Sequence, residues 1–365
     1  MSPAAEPRKK KWPIVAILIL VFFGLVVCII ARVNLGQMWE IYTFFDEGKR
    51  IENFRHTERV FPVRGIRRSD PQYHFARDIR ELNTTYGFKG ETRKVNEFLA
   101  RTVTTGFLVV KDDKIVTERY FHGATEDTLM TSMSVVKSFV SALVGIAIDD
   151  GLIEGVDRPI TDYVPKLKGS GYDGVPIKHV LQMSSGVKFD EVYDDTFSDI
   201  NLLFYKVFGL GQSLDDYMAN LKPEYPSGET SYYRSCDTQA LGMLVSTVTG
   251  KTVSAYLEEK IWGKIGMEYD ASWCIDQHGT EISFAFLNAA LRDYAKFGML
   301  YLHEGNWNGE QIISQSWVRE SVVPDNPNLQ PGRKPEGFET FGTFGYQYQW
   351  WIPDHPDEEF MALGV

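Results

Sequence analysis

The longest apolar stretch of the chain comes first. WPIVAILILVFFGLVVCIIA, residues 12–31, carries no charged side chain, and the next charge is Arg32. A bilayer core needs roughly 20 apolar residues of helix, so the run reads as one transmembrane span. PRKKK precedes it at 7–11, and cytoplasmic flanks carry the excess of Lys and Arg. The pattern predicts a cytoplasmic basic tail over 1–11, an anchor over 12–32, and everything after Arg32 on the far side, periplasmic or extracellular. A cleavable signal peptide would show a shorter apolar core of about 7–15 residues and a small-x-small cleavage site. The run is longer than that, and no such site is evident.

Beyond the span the pattern shortens. Residues 33–100 mix aromatics with Pro62 and Pro71 and read as a stalk and N-terminal wrapping segment. GFLVVKDDKIVTERYF, 106–121, is two β-branched or aromatic runs around Asp112-Asp113, a hairpin signal. MTSMSVVKSFVSALVGIAIDDGL, 130–152, is helical: Phe139, Val140, Leu143, Val144 and Ala147 make one apolar face, Thr131 or Ser132 can cap it, and Asp149-Asp150-Gly151 ends it. KHVLQMSSGV (178–187) is a short helix stopped by Ser-Ser-Gly, and SLDDYMANL (213–221) starts on a serine cap. QALGMLVSTVTG (239–250) closes on Gly250, SAYLEEKIWGKIG (254–266) follows it, and NAALRDYAKFGMLYLHEG (288–305) has a glycine stop. Residues 324–337 are a Pro/Gly-rich loop, and FGYQYQWWIP and EEFMALGV read as strands. Strands at both ends with helices between predict an α+β domain over 101–365, an antiparallel sheet from the two chain ends around a mainly helical middle.

Composition narrows the function class. At 365 residues, with 44% hydrophobic residues, the chain can bury a large core, which excludes global disorder. A net charge of −11 argues against nucleic acid as a partner. Cys28 falls in the span; Cys236 and Cys274 are the only cysteines beyond it. An exported compartment permits a disulfide between these two, and buried free thiols are the simpler expectation. The seven histidines show no zinc-site spacing, so no metal or other cofactor is implied.

One feature of the 130–152 helix calls for chemistry. Ser134, Lys137 and Ser141 lie three and four residues apart, on a stripe away from the apolar face. A serine hydroxyl needs a base beside it to become a nucleophile. A lysine one turn on can be that base if burial lowers its pKa. Ser134, near the helix start, also offers its own N–H to a developing oxyanion. The same spacing as a solvated polar stripe would carry no chemistry. A second Ser-x-x-Lys, Ser185-Gly186-Val187-Lys188, contains a glycine after a helix stop and cannot easily present both side chains from one turn. Tyr233-Arg234-Ser235 lies in a Pro/Gly turn region just before a helix. A tyrosine there, beside a cationic lysine, would have its phenolate favoured and could relay a proton; Ser235 could hold Lys137 or the substrate.

Ser134-Val135-Val136-Lys137 with Tyr233-Arg234-Ser235 resembles the serine β-lactamase and penicillin-binding-protein superfamily. The 179–186 segment HVLQMSSG is similar to the family's LL-x-MTSG, and the Tyr-x-Ser followed by Asp-Thr-Gln most resembles class C-like esterases and 6-aminohexanoate-dimer hydrolases. The resemblance implies a β-lactamase-like fold and an acyl-enzyme, with Ser134 as nucleophile and Lys137 and Tyr233 handling its proton. Tyr193 resembles a substrate-contacting tyrosine, and Leu363-Gly364-Val365 resembles the x-G-x form of the family's third motif, whose strand backbone gives the second oxyanion N–H. That motif has no lysine here, which favours esters or small amides over β-lactams and cell-wall peptides. The alternatives are a β-lactamase or DD-peptidase-type enzyme, or a non-catalytic binding protein on the same scaffold. Family members continue through two further strands and a terminal helix, so the expectation is a domain lacking them, with an open sheet edge.

Overall fold

The computed structural model describes residues 18, 35–81, 84–332, 344–354 and 359–364. The expected anchor therefore lies outside the described residues except for Leu18, and Cys28 and Val365 lie outside them too. Among the described residues no helix is long and apolar enough to cross a membrane.

The hairpin forms where the alternation places it, Gly106–Lys111 against Lys114–Tyr120. Asp112 (φ 48°) and Asp113 (φ 60°) are both left-handed, the backbone a two-residue hairpin turn needs. Its second partner is not the C-terminal segment but Ala76–Arg77, which runs parallel to Lys114 and Ile115. A second sheet runs in the order Val63–Ile66, Ala271–Cys274, Leu287–Ala289, Met130–Thr131, antiparallel throughout. The expectation of one sheet built from the two chain ends is thus replaced, among the described residues, by a four-stranded and a three-stranded sheet drawing on the N-terminal and central chain, beside three separate two-stranded pairs. Phe344–Gln347 and Trp350–Pro353 pair only with each other, and the following segment adds a single bridge, Trp351 with Met361.

The helix Val136–Asp149 is the axis of the core. Every residue from Val136 to Ala147 is buried, Lys137, Ser138 and Ser141 included. Its polar stripe is therefore covered rather than solvated. The helix Ser235–Thr249 packs along it, and Gly145 lets the Trp317 indole lie directly on the helix surface, where a Cβ would overlap it. Neither expected cap acts as one: Thr131 is in a strand, and the Ser132 hydroxyl donates to Met133 O and accepts from Leu287 N. The Ser213 cap does form, accepting from Asp216 N, and Gly250 ends its helix at φ 64°. Asn288 and Ala289, at the start of the stretch read as helix, belong to the strand Leu287–Ala289, and that helix begins at Leu291. Cys236 and Cys274 are free and buried, as the simpler expectation had it. Residues 35–66 join the core through Phe44 and Phe61, whose rings meet Phe286 at 5.6 and 5.0 Å.

Candidate active site

The strand Met130–Thr131 delivers the chain to Ser134 through a fixed entry. Ser132 N donates to Leu287 O, and the single Tyr294 Oη proton lies within hydrogen-bond distance of both Leu287 O (2.7 Å) and Met130 O (2.9 Å). Met133 then sits at φ 42°, a left-handed conformation costly for a side chain of its size. A short 3₁₀ turn, Met133–Val135, carries Ser134 into the helix. Lys137 Nζ donates to Ser134 Oγ at 2.8 Å and to Phe284 O at 2.8 Å. Its side chain is fully enclosed, and burial lowers the amine to about 7, against the opposing pull of Glu191. Near neutral pH the amine is therefore present in both its protonated and base forms. The second Ser-x-x-Lys does not assemble: Gly186 is left-handed (φ 77°) against the Tyr225 carbonyl, Ser185 Oγ donates to Asp237 at 2.6 Å, and Lys188 is exposed.

Tyr233 reaches this pair from the loop before the Ser235–Thr249 helix. Its ring stacks on Trp351 (5.3 Å) and meets Tyr346 edge-on (6.1 Å), which fixes its plane. Lys137 Nζ lies 5.1 Å from the ring centroid, and the hydroxyl hydrogen-bonds Ser134. The expectation of a favoured phenolate does not hold: burial, reinforced by the Glu191 carboxylate, pushes the Tyr233 hydroxyl far up. Tyr233 stays a phenol, a proton donor.

Ser235 holds neither Lys137 nor an open position. Its hydroxyl donates to Glu191 Oε1 at 2.5 Å, and its backbone N–H donates to Glu191 Oε2. Tyr193 Oη donates to the same Oε1 at 2.7 Å. Glu191 is the residue that sequence reading missed. Its carboxylate caps the positive end of the Ser235–Thr249 helix and sets the field felt by Lys137 and Tyr233. Burial raises its pKa, while Lys137 and these donors pull it down. The only signal in the sequence was its place two residues before Tyr193, in a run of acids that reads as surface. Replacing Glu191 with glutamine removes the charge that favours the ammonium, so the Lys137 pKa should fall further. The acidic limb of an acylation–pH profile should move to lower pH; an unmoved limb would remove Glu191 from the circuit.

Gly364 lies against the backbone around Ser134. A Cβ there would be 2.6 Å from Ser132 O, 2.8 Å from Ser134 N and 2.9 Å from Met133 Cβ. The bare glycine keeps the Ser134 N–H uncovered. Ser134, Ser235 and Tyr193 face a cavity of about 380 Å³. Its far wall is apolar, with Ile41, Phe44, Phe61, Ile200, Phe204 and Phe286. Its only charged lining groups among the described residues are Asp46 and Asp194.

Residues 92–357 match the Beta-lactamase family. The chain is 31% identical over 274 residues to the 6-aminohexanoate-dimer hydrolase of Paenarthrobacter ureafaciens, covering 73% of this chain and 69% of that one. A solved structure of a candidate 6-aminohexanoate-dimer hydrolase from Bacillus anthracis superposes with a TM-score of 0.78 at 24% identity, over 88% of this chain and 84% of that chain. A penicillin-binding protein from Bacillus halodurans shares the fold at a TM-score of 0.54 and 14% identity, over 72% of this chain and 84% of that one. With a buried lysine on the serine and a match over most of its length, the chain belongs to the Beta-lactamase family of serine hydrolases.

Proposed function

We propose that the protein cleaves an ester or small amide through an acyl-enzyme on Ser134. The observation that carries this is the 2.8 Å contact between Ser134 Oγ and a lysine amine lowered to about 7. In its neutral form Lys137 takes the hydroxyl proton as Ser134 Oγ attacks the carbonyl carbon. The Ser134 N–H receives the developing oxyanion, and a second backbone donor is assigned to the segment of Gly364, which lies against Ser134 N. Tyr233, held as a phenol, delivers a proton to the departing oxygen or nitrogen. Water then attacks the ester intermediate, and the serine recovers its proton. Glu191, through Ser235 and Tyr193, positions the helix end and tunes the lysine. The name of the Paenarthrobacter relative, a hydrolase of an amide dimer, supports a small amide as substrate. The absence of any Lys, Arg or His from the described cavity lining weighs against a β-lactam carboxylate as the group seated there. The charge-free run at 12–31 after PRKKK supports a single-pass anchor with the domain on the far side of the membrane.

The test is the intact mass of the full chain after reaction with an alkyl fluorophosphonate, then turnover of an aryl butyrate, an aryl butyramide and a chromogenic cephalosporin. Labelling in the wild type that is lost in Ser134→Ala, with turnover of the ester or amide, supports the proposal. Preferential turnover of the cephalosporin would replace it with a β-lactamase. No labelling would leave a binding protein on this scaffold.

Two further results are expected. Acylation should rise about tenfold per pH unit below about 7 and level off above it, because the amine acts only when neutral and its folded pKa is lowered to about 7. A profile flat from pH 5 to 8 would remove Lys137 as the base. Tyr233→Phe should lower kcat on the amide by about 10²-fold while fluorophosphonate labelling persists, since fluoride departs without a proton donor. Equal loss in both assays would assign Tyr233 to structure instead.

A further inference from the structure

The helix Leu35–Tyr42 wears its aromatic residues on the wrong side for a soluble domain. Met38 packs on Gly209, Gln37 Nε2 donates to Val60 O at 2.9 Å, and Ile41 lines the cavity. That fixes the inner face. The outer face carries Trp39 (59% exposed) and Tyr42 (62%), three residues apart with ring centroids 5.9 Å from each other. Phe45 follows at 56%. Tyr42 and Phe45 also line the cavity that holds Ser134. Across that cavity Phe197 is 80% exposed, directly after Thr196, another lining residue, and Val192 is 51% exposed beside Tyr193. Tyr42 and Phe45 thus line the cavity of Ser134 themselves, and the exposed Trp39, Val192 and Phe197 lie on the segments that line it. A patch of this kind marks an interaction surface.

The chain itself says what covers it. The charge-free run ends at residue 31, and only Arg32, Val33 and Asn34 separate it from Leu35. Even fully extended, that link reaches roughly 14 Å. If the run spans a bilayer, the helix Leu35–Tyr42 has to lie at that bilayer's surface. Trp and Tyr are the side chains that favour the interface between headgroups and acyl chains. The exposed charges on these segments are Glu40, Asp46, Glu47, Asp194 and Asp195 against Lys49 and Lys206; this net acidic balance gives no attraction to anionic lipid, so the contact is apolar in character.

We propose that the aromatic rim formed by Trp39, Tyr42, Phe45 and Phe197 seats the cavity mouth on the lipid surface. A membrane-dissolved ester or amide with an apolar acyl chain would then pass to Ser134 without crossing water. The inference rests on the anchored-hydrolase reading above. The apolar cavity wall, Phe44, Phe61, Phe204 and Phe286 among it, matches such a chain.

The test uses the full chain in phosphatidylcholine nanodiscs. An environment-sensitive fluorescent unnatural amino acid at position 197 should be quenched by doxyl-labelled phosphatidylcholine and shielded from aqueous iodide. The Trp39→Ser/Phe197→Ser double variant should hydrolyse a long-chain aryl ester dissolved in the disc about tenfold more slowly. Its rate on a water-soluble aryl acetate should stay within about twofold of wild type, since neither side chain lines the cavity. Iodide quenching without doxyl quenching, or equal rates of double variant and wild type on the long-chain ester, overturns the inference. Shielding from both quenchers in a dimeric chain also overturns it, because a second copy would then cover the rim. Fluorophosphonate labelling of Ser134 is read separately: if it fails while the doxyl signal holds, the hydrolase reading falls and the lipid seat stands.

Discussion

Lys137→Ala is expected to cut acylation of Ser134 by about 10²–10⁴-fold, measured as the rate of mass gain from a fluorophosphonate, with Ser134→Ala as the blank. The direction follows from how few routes the serine proton has. Ser134 Oγ accepts from the lysine amine, which is anchored by Phe284 O. The neighbouring acceptor, Glu191, is occupied by Ser235 and Tyr193, and Tyr233 is a phenol that gives protons rather than takes them. Without the amine, the hydroxyl has no base among these groups. Lys137→Arg should be no better, because a guanidinium does not lose its proton at any working pH. A Lys137→Ala protein that labels at the wild-type rate would show that the base lies elsewhere, and the mechanism proposed here would fail with it.

The second large effect is expected from one methyl group. Gly364→Ala puts a Cβ within 2.6–2.9 Å of Ser132 O, Ser134 N and Met133 Cβ. Backbone atoms of a strained turn cannot yield without moving the nucleophile. The added carbon would also cover the Ser134 N–H. Loss of one oxyanion donor costs about 10²–10³-fold, so acylation should fall by that order. Position 364 is exposed and adds little to the core, so the thermal midpoint should shift by no more than a few degrees. Gly65→Ala is the control: it has nothing within 4 Å of the new methyl and should leave acylation unchanged. Equal acylation in both variants would place the third motif away from the oxyanion.

The legible parts of this protein are those set by short-range geometry. Residues three apart on a helix share a face whatever the rest of the fold does, so Ser134 and Lys137 could be paired from spacing alone. The Asp112-Asp113 turn and the Ser213 cap are equally local. Tyr233 was visible as a loop tyrosine before a helix, and the family resemblance tied it to Ser134, since nothing in a Pro/Gly loop says where its side chains converge. The sheets were less legible. Ala271–Cys274 and Leu287–Ala289 are too short to show a period, and a buried strand with both sides covered shows no alternation. The covering of the Ser134–Lys137–Ser141 stripe was also hidden, because it is supplied by distant segments such as Phe284, whose carbonyl receives Lys137 Nζ at 2.8 Å.

The sequence by itself determined the pairing of Ser134 with Lys137 on one helix face, the hairpin, the order of the main helices and a charge-free run long enough for a bilayer. Each of these is encoded by neighbours in the chain. Only the tertiary structure decided that the lysine is dry enough to titrate near 7, that the tyrosine remains protonated, and that Glu191 lies across the end of the helix that follows Tyr233. Those properties belong to the electrostatic environment of a group, and burial and charge at a point in space are set by residues far apart along the chain.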